Sequence, residues 1–452
     1  MFKTVKSAVL VCALTGINAP VLAQQLDDLD ALALADKAQQ KAEKASDIHW
    51  FAEAAAGLSS LRGTETSSLV QRLSFDLHID KVFAPGWRAV FADRLDLNRQ
   101  RQPDQPNPQI VRHNVNTLRE AYLSWQLNDH QLIDLGRINA ATGVASGYNP
   151  TDFFRADSVR SLVSVDPGSL KKNRLGSVML RAQHLWSNGS VIAQYSPKLE
   201  MKATSASSAS DFSPDFGATN HQGRYLIAVS QQLADGITPQ WLIYGQERQA
   251  PQLGCNLTTL INDATVAYFE WSGGRSSSLA SQATKATQTA QTAQGLNSGE
   301  HRQFRNHLAS GVTYTTTNKL SLSLEYEYSG TGMDAASWTL FRQGSGTASA
   351  IAPGAAYSRY RAFQQSTQEL ATKEELFFYA NWQDAIVNNL DLSGMRKIDL
   401  ADHSKLTWLE ARYRMNKADV ALQWQRNSGD ATSVYGASLQ KMAWQASFRY
   451  YF

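Results

Sequence analysis

Hydrophobic and polar residues alternate with a period of two along much of this chain. In the last twelve residues, 441–452, one face is apolar or aromatic, whereas the other carries most of the polar side chains. The first face consists of Met442, Trp444, Ala446, Phe448, Tyr450 and Phe452. The segments 72–80 and 320–329 alternate in the same way. Because successive side chains of a strand point to opposite faces, this pattern predicts two-sided antiparallel strands.

The alternation predicts about eighteen strands, with sixteen as the alternative because the segment 256–261 has the weakest pattern. The strands are expected near 49–58, 70–80, 87–97, 119–127, 131–138, 176–186, 191–199, 224–233, 240–248, 256–261, 264–272, 305–315, 319–329, 375–384, 389–398, 406–415, 419–427 and 441–452. Connections after even-numbered strands are short, and those after odd-numbered strands are generally longer and polar. This asymmetry is typical of transmembrane barrels, with short periplasmic turns and long extracellular loops. We therefore predict an all-β transmembrane antiparallel barrel, in preference to a large soluble sandwich or propeller.

Aromatic residues collect beside the short connections. They are Trp87, Trp125, Trp186, Trp241, Tyr314, Trp382, Tyr413 and Tyr450. Amphipathic rings favour the headgroup level of a membrane. The pattern therefore predicts a periplasmic aromatic girdle.

The composition narrows the class of protein. Forty-three basic and 40 acidic residues leave a formal charge of +3, so the charge balance gives no support for nucleic acid as a partner. The mean hydropathy is -0.35, and after the N-terminus no uncharged apolar run approaches the length of a transmembrane helix. A helical membrane protein is therefore not expected, whereas strands that alternate lumen-facing and lipid-facing residues average to this hydropathy.

The N-terminus has the order of features found in a secretory signal. Lys3 and Lys6 precede the apolar segment 7–17, and Ala23 ends a cleavage-site pattern. We expect residues 1–23 to be a Sec signal peptide, 24–48 a periplasmic arm that is helical or mobile, and 49–452 the barrel in the Gram-negative outer membrane. Helix pairing through the arm is an alternative. After cleavage Cys255 is the only cysteine, so no intrachain disulfide is expected.

Two segments resemble known outer-membrane proteins. The final strand, which ends in Phe452, resembles the closing strand of outer-membrane barrels, and this resemblance implies recognition by the barrel-insertion machinery. Gly136-Arg137, followed by a glycine-containing stretch and Asn149-Pro150-Thr151-Asp152-Phe153, resembles outer-membrane porins and alginate-export channels. In such channels the third loop commonly narrows the lumen, which makes 139–175 the expected constriction. The alternative is that this loop forms an external lid with solvated charges.

Charged side chains on the strands are expected to point into the lumen, because a charge on the lipid face costs about 2–4 kcal/mol at mid-bilayer. The candidate pore-lining or solute-binding residues come from these strands and from the loop 139–175. They are Arg72, Arg88, Arg137, Asp152, Arg155, Asp157, Arg160, Arg181, Arg412, Arg414 and Arg449. For each strand residue the alternative role is structural, in an arginine–carboxylate ladder. Where arginine outnumbers acid, the local field favours anions.

No enzyme is expected. His184-Leu-Trp-Ser187-Asn188-Gly189 resembles the His-x-Ser-Asn-Gly signature of barrel phospholipases and deacylases, but one additional residue puts His184 and Ser187 on opposite strand faces. Ser187 is expected in a turn instead. The sequence also gives no metal-ligand spacing and no nucleotide-binding loop, so we expect neither a metal nor a cofactor.

The sequence thus predicts an outer-membrane channel for passive passage of a small hydrophilic solute of anionic or sugar type. Energised uptake is not expected, because 24–48 is too short for a plug domain. The alternatives are a polysaccharide-export conduit and a non-conducting surface adhesin or receptor. Outer-membrane lipid and lipopolysaccharide are expected to surround the barrel.

Overall fold

The strand prediction is confirmed by a computed structural model of the chain, which describes residues 47–63, 67–101, 114–201, 212–287, 302–345 and 353–452. The expected signal peptide and nearly all of the N-terminal arm lie outside these residues. Eighteen strands form one sheet in which consecutive strands pair antiparallel, and β1 also pairs with β18. The sheet is therefore a closed barrel, which excludes the sandwich and propeller alternatives.

The strand bounds follow the predicted pattern closely. The first nine strands are β1 Ile48–Leu61, β2 Ser67–Ala84, β3 Trp87–Arg101, β4 Asn114–Asn128, β5 Gln131–Ile138, β6 Ser177–Trp186, β7 Gly189–Ser196, β8 Arg224–Gln231 and β9 Gln240–Gln246. The others are β10 Gln252–Asn262, β11 Thr265–Ser276, β12 Gln303–Thr315, β13 Leu320–Ser329, β14 Glu374–Trp382, β15 Leu390–Asp399, β16 Lys405–Arg414, β17 Ala418–Ser428 and β18 Gln440–Tyr451. β10 contains the weakly predicted segment 256–261, so the count of sixteen is wrong.

In the described ranges, five short helices lie in the connections at one end of the barrel, which we call the long-loop end. They are α1 Pro167–Lys172, α2 Phe216–Thr219, α3 Leu279–Thr287, α4 Ala335–Ser345 and α5 Pro353–Thr367. Within the described part of the chain, no helix has the length and apolarity needed to span a bilayer. The opposite end carries the tight connections and is called the short-turn end.

The two faces of the sheet differ as the alternation predicts. On β1, Glu53 is buried inside the barrel, whereas Trp50 and Leu58 are exposed on the outside. At the short-turn end, the outward rings of Trp87 and Trp125 stack with their centroids 5.4 Å apart. The outer surface is thus mainly apolar, with a few outward charges, and most charges of the strands are enclosed.

The long-loop end is covered by a structure with its own apolar core, which we call the helical cap. It consists of α3, α4, α5 and the β17–β18 connection 429–439. Trp338 and Tyr360 are almost fully buried in its core together with Leu279 and Val434. The indole of Trp338 also donates a hydrogen bond of 2.7 Å to Asp402 Oδ2, which fastens the cap to the barrel rim.

Gly136 lies where β5 ends early and the chain turns inward. Its φ of +140° is rare for residues with a side chain, and a Cβ would lie 2.7 Å from the Cα of Tyr122. We expect Gly136→Val to lower the free energy of unfolding by about 2–3 kcal/mol because strain and overlap add at this position.

Urea-dependent unfolding in lipid vesicles measures this loss. Ala193→Val is the matched control, because Ala193 is exposed on the lipid-facing side of β7 and has room for a larger side chain. Equal stability of the two variants would contradict the role assigned to Gly136.

Candidate functional site: a loop inside the barrel

Residues 139–175 fold into the barrel interior, so the loop is not an external lid. In the middle of the loop, directly after residues 144–151, the side chain of Phe154 packs in a core cluster with Ile138, Met179 and Leu226, and Phe153 stacks on Tyr244 with ring centroids 4.4 Å apart. These partners lie on the inner faces of β5, β6, β8 and β9. Burial of the aromatic residues therefore holds this part of the loop, which we call its base, against these four strands.

Two carboxylates on β11 and β13, the strands that we call the far wall, hold the apex of the loop. Glu270 on β11 accepts hydrogen bonds from the backbone amides of Val144 at 2.8 Å and Thr151 at 2.7 Å. Glu325 on β13 accepts from the amide of Ser146 at 2.7 Å. Consecutive amides that point the same way form a concavity that binds anions. We call this arrangement, Glu270 and Glu325 with residues 144–151, the apex clamp.

The apex clamp requires a very close approach of the loop backbone to the wall. Glu270 and Glu325 are fully buried, as is Phe377 behind the loop. A Cβ on Gly147 would lie only 2.6 Å from the ring of Phe377. Glycine at this position therefore lets the loop cross the lumen completely.

An internal ion pair joins the two legs of the loop. Arg174 Nη1 lies 2.6 Å from Asp152 Oδ2, and both side chains are buried. The same arginine donates to the carbonyl of Ala140 at 2.9 Å. Because a buried charged pair with further hydrogen bonds fixes geometry strongly, this contact defines the shape of the loop.

A second set of contacts joins the loop to the helical cap, and we call it the cap–loop junction. It consists of Tyr148, Arg155 and Asp157 on the loop, Ser366 in the last turn of α5, and Gln368 and Glu369 just after that helix. Arg155 pairs with Glu369, and the Tyr148 hydroxyl donates to Glu369 Oε2 at 2.7 Å. The amide of Asp157 donates to the carbonyl of Ser366 at 2.7 Å. Burial favours the neutral form of Glu369, but the charges of Arg155 and His307 outweigh it and hold the pKa of Glu369 below its usual value.

The wall opposite the loop base carries a network of ion pairs, which we call the arginine wall. Glu53 lies 2.8 Å from Arg72, 3.2 Å from Arg94 and 2.6 Å from Arg449, measured between oxygen and guanidinium nitrogen. The remaining close pairs are Arg119–Asp76 at 2.7 Å, Arg94–Asp96 at 2.9 Å, Arg412–Glu410 at 2.9 Å and Arg412–Asp419 at 2.5 Å. Arginines and carboxylates balance in this network, so the paired wall itself has little net charge.

A cavity of about 1170 Å³ separates the loop from the helical cap. A smaller cavity of about 90 Å³ lies between loop residues 161–165 and the arginine wall, where Arg72 donates to the carbonyl of Val163. The two cavities share six lining residues, namely Asn98, Ser161, Leu162, Val165, Gln425 and Gln440. The large cavity therefore narrows towards this wall, which makes the gap between 161–165 and β1, β2 and β18 the candidate constriction.

The sequence-predicted residues fall into three groups. Arg72, Arg412 and Arg449 belong to the arginine wall. The residues on the loop that border the large cavity are Asp152, Arg155, Asp157 and Arg160. Whether any of them contacts a solute stays a prediction.

The third group is engaged elsewhere. Arg137 is buried and donates to the carbonyls of Gly176 at 2.8 Å and Pro214 at 2.6 Å, so it fastens loop segments together. The others form pairs within the strands and turns: Arg88 with Asp80, Arg181 with Asp134, and Arg414 with Asp384 and Asp391. Arg414 lies at the short-turn end.

Three residues that contact the loop or line the lumen are absent from the predicted site residues. The alternation places Glu325 inside the barrel but gives no sign that its partner is the loop backbone, and the same holds for Glu270 on its strand. Lys172, at the end of α1, is exposed within the lumen and interacts electrostatically with Asp76 and Arg119. The Lys171-Lys172 pair in the loop was the available signal.

The structure separates the two residues of the hydrolase-like segment, His184 and Ser187. Ser187 lies in the turn between β6 and β7, as predicted, and His184 is on the outer face. No group of three or more His, Cys, Asp or Glu side chains in the described ranges could hold a metal ion.

Comparison with known proteins adds evidence on the fold. No family model and no curated protein matches this sequence. The structure is similar to OccK5 (OpdH) of Pseudomonas aeruginosa, with a TM-score of 0.52 and 9% identity over 90% of this chain and 98% of that one. It is also similar to OccAB1 of Acinetobacter baumannii, with a TM-score of 0.51 and 10% identity over 90% and 96% of the two chains. These neighbours are outer-membrane porins, and the alginate-export part of the resemblance gains no support from them.

Proposed function

We propose that this protein is an outer-membrane channel through which a small hydrophilic solute passes passively, with 139–175 as its constriction. The observation that carries the proposal is a loop anchored across the inside of a closed barrel, beside two cavities that share part of their lining. Similarity to porins supports it at the level of fold. The proposal places the short-turn end in the periplasm and the long-loop end outside the cell.

We further propose that the solute is anionic or of sugar type. Lys172 is exposed beside an arginine wall whose own charges balance, so it adds positive charge to the lumen. In the large cavity, Arg361 donates through Nη2 to the carbonyl of Val434, whereas its buried Nη1 has no hydrogen-bond partner among the described residues. A net positive lining favours anions, and paired arginines and glutamines offer donors to hydroxyl groups.

The reversal potential in a salt gradient tests both parts of the proposal. We expect the wild-type barrel to conduct with a preference for chloride over potassium, and Lys172→Glu to lower that permeability ratio about threefold or more, because it changes the lumen charge by two. Lys198→Glu is the control, since Lys198 is exposed in the β7–β8 connection.

The outcomes separate the two parts. An unchanged permeability ratio in a conducting Lys172→Glu barrel would contradict the assigned electrostatic role. Absence of conductance from a folded wild-type barrel would contradict the channel itself and favour a surface receptor or a gated exporter, for which the helical cap offers a closed outer surface.

A further inference from the structure

We propose that the outer face of β15–β17 binds the phosphate groups of lipid A, the membrane anchor of lipopolysaccharide, through Arg396, Lys405 and Arg426. We call these three residues the outer cationic patch. The inference rests on the outer-membrane location and orientation proposed above, but it concerns a surface that solute does not reach.

The strand register brings the patch together. Arg396 on β15 and Arg426 on β17 are both register partners of Thr407 on β16. Lys405 lies two residues from Thr407, on the same face and towards the long-loop end. Directly opposed Cβ atoms are about 5 Å apart, so the stems of the two arginines are about 10 Å apart with a threonine hydroxyl between them.

The patch faces outward. On β16 the neighbouring residues Leu406 and Trp408 are buried inside the barrel, so Lys405 and Thr407 point to the membrane side. Arg396 and Arg426 are both exposed. Among the described residues none of the three cations has a hydrogen bond or ion pair through its side chain, in contrast to the arginines of the arginine wall.

The outward aromatic residues indicate how deep the outer cationic patch lies in the membrane. Trp424 and Trp444 are register partners with ring centroids 6.1 Å apart, and they lie one outward position below Arg426. Tryptophan favours the interface between hydrocarbon and headgroups. Arg426 therefore reaches the headgroup level, and the flexible stems of Arg396 and Lys405 can extend in the same direction.

The missing partners indicate an anion supplied by the membrane. An unpaired arginine in hydrocarbon is costly, whereas a guanidinium binds phosphate through two parallel hydrogen bonds. Glu374, an outward carboxylate on β14, accepts a hydrogen bond from Tyr326 at 2.7 Å instead of pairing with the patch. Two arginines, a lysine and a hydroxyl within one small area match a phosphorylated sugar headgroup better than a single diffuse charge would.

Lipid binding to the full-length refolded barrel in detergent tests the proposal. The probes are bisphosphorylated lipid A, the same lipid without its phosphates, and phosphatidylglycerol. We expect wild-type protein to bind bisphosphorylated lipid A roughly 100-fold more tightly than the triple variant Arg396→Gln, Lys405→Gln, Arg426→Gln, because three charges near an anionic headgroup act together. Added salt should reduce this difference.

Arg99→Gln is the matched control, because Arg99 is an exposed outward arginine on β3, outside the patch. Its lipid A affinity should equal that of the wild type. Unaltered single-channel conductance in the triple variant would show that the barrel is folded, and it separates failure of this proposal from failure of the channel.

Three results would overturn the proposal. They are equal lipid A affinity of the triple variant and the wild type, equal affinity of the wild type for the dephosphorylated lipid, and equal affinity for phosphatidylglycerol. The last result would assign the patch to anionic lipids in general rather than to lipid A. If the triple variant does not fold, the single variant Arg426→Gln gives the same comparison with a smaller expected loss of about fivefold.

Discussion

Replacing both Glu270 and Glu325 with glutamine will release the apex of loop 139–175 and raise the single-channel conductance. Each carboxylate accepts several backbone amides of the loop, and hydrogen bonds to a charged acceptor contribute about 1.5–3 kcal/mol each. Glutamine keeps the shape but presents an NH₂ group to amides that also donate. The apex will therefore leave the far wall, and we expect the conductance to rise about twofold with larger current fluctuations.

Recordings from planar bilayers measure this effect. Asp134→Asn is the matched control, since Asp134 is also a buried inward carboxylate but pairs with Arg181 of the neighbouring strand. The control should conduct like the wild type. A wild-type conductance in the Glu270→Gln, Glu325→Gln variant would mean that the apex clamp does not set the position of the constriction.

Glu369→Gln will loosen the helical cap. The carboxylate of Glu369 receives Arg155 and the Tyr148 hydroxyl, so its loss removes the main charged contact of the cap–loop junction. We expect amide hydrogens in α5 to exchange about 10- to 100-fold faster, which corresponds to the loss of one or two charged hydrogen bonds. Glu374→Gln is the control, because Glu374 is the first residue of β14, the strand that follows the junction, and faces outward.

Acid should reproduce the effect of Glu369→Gln in the wild type. The pKa of Glu369 is lower in the folded protein than its usual value, so its stabilising contribution is complete above the usual pKa of a glutamate and is lost as the pH falls through the folded value. Exchange in α5 should therefore accelerate below about pH 4 in the wild type but show less pH dependence in Glu369→Gln. Identical acid sensitivity of both proteins would assign the loosening to another group.

The barrel could be predicted from the sequence because the alternation within each strand shows which residues face the lumen and which face the lipid. Outward residues such as Leu322 and Leu324 alternate with inward residues such as Glu325 at fixed spacing, and the short turns give the strand order directly. Closure follows from the paired first and last strands, whose partners include Glu53 and Arg449. The strands and their order can therefore be predicted without knowing any contact between residues that are distant in the sequence.

The contacts inside the barrel could not be predicted in the same detail. The alternation shows on which side of the sheet a side chain lies, but not which group it contacts. The contacts of the apex clamp join residues 126 and 179 positions apart, through backbone amides that carry no residue-specific signal. Arg137 is an example. Its charge predicts a side chain that lines the lumen, yet its guanidinium donates to backbone carbonyls of Gly176 and Pro214.

Single-channel conductance of the wild-type protein, refolded and inserted into a planar bilayer, shows whether the barrel is an open channel. We expect stable unitary currents with a preference for anions. The lumen is narrow along the arginine wall, but the two cavities on either side of this narrow part share lining residues. A barrel that is shown to be folded and inserted, yet carries no current under any voltage or salt gradient, would rule out an open channel.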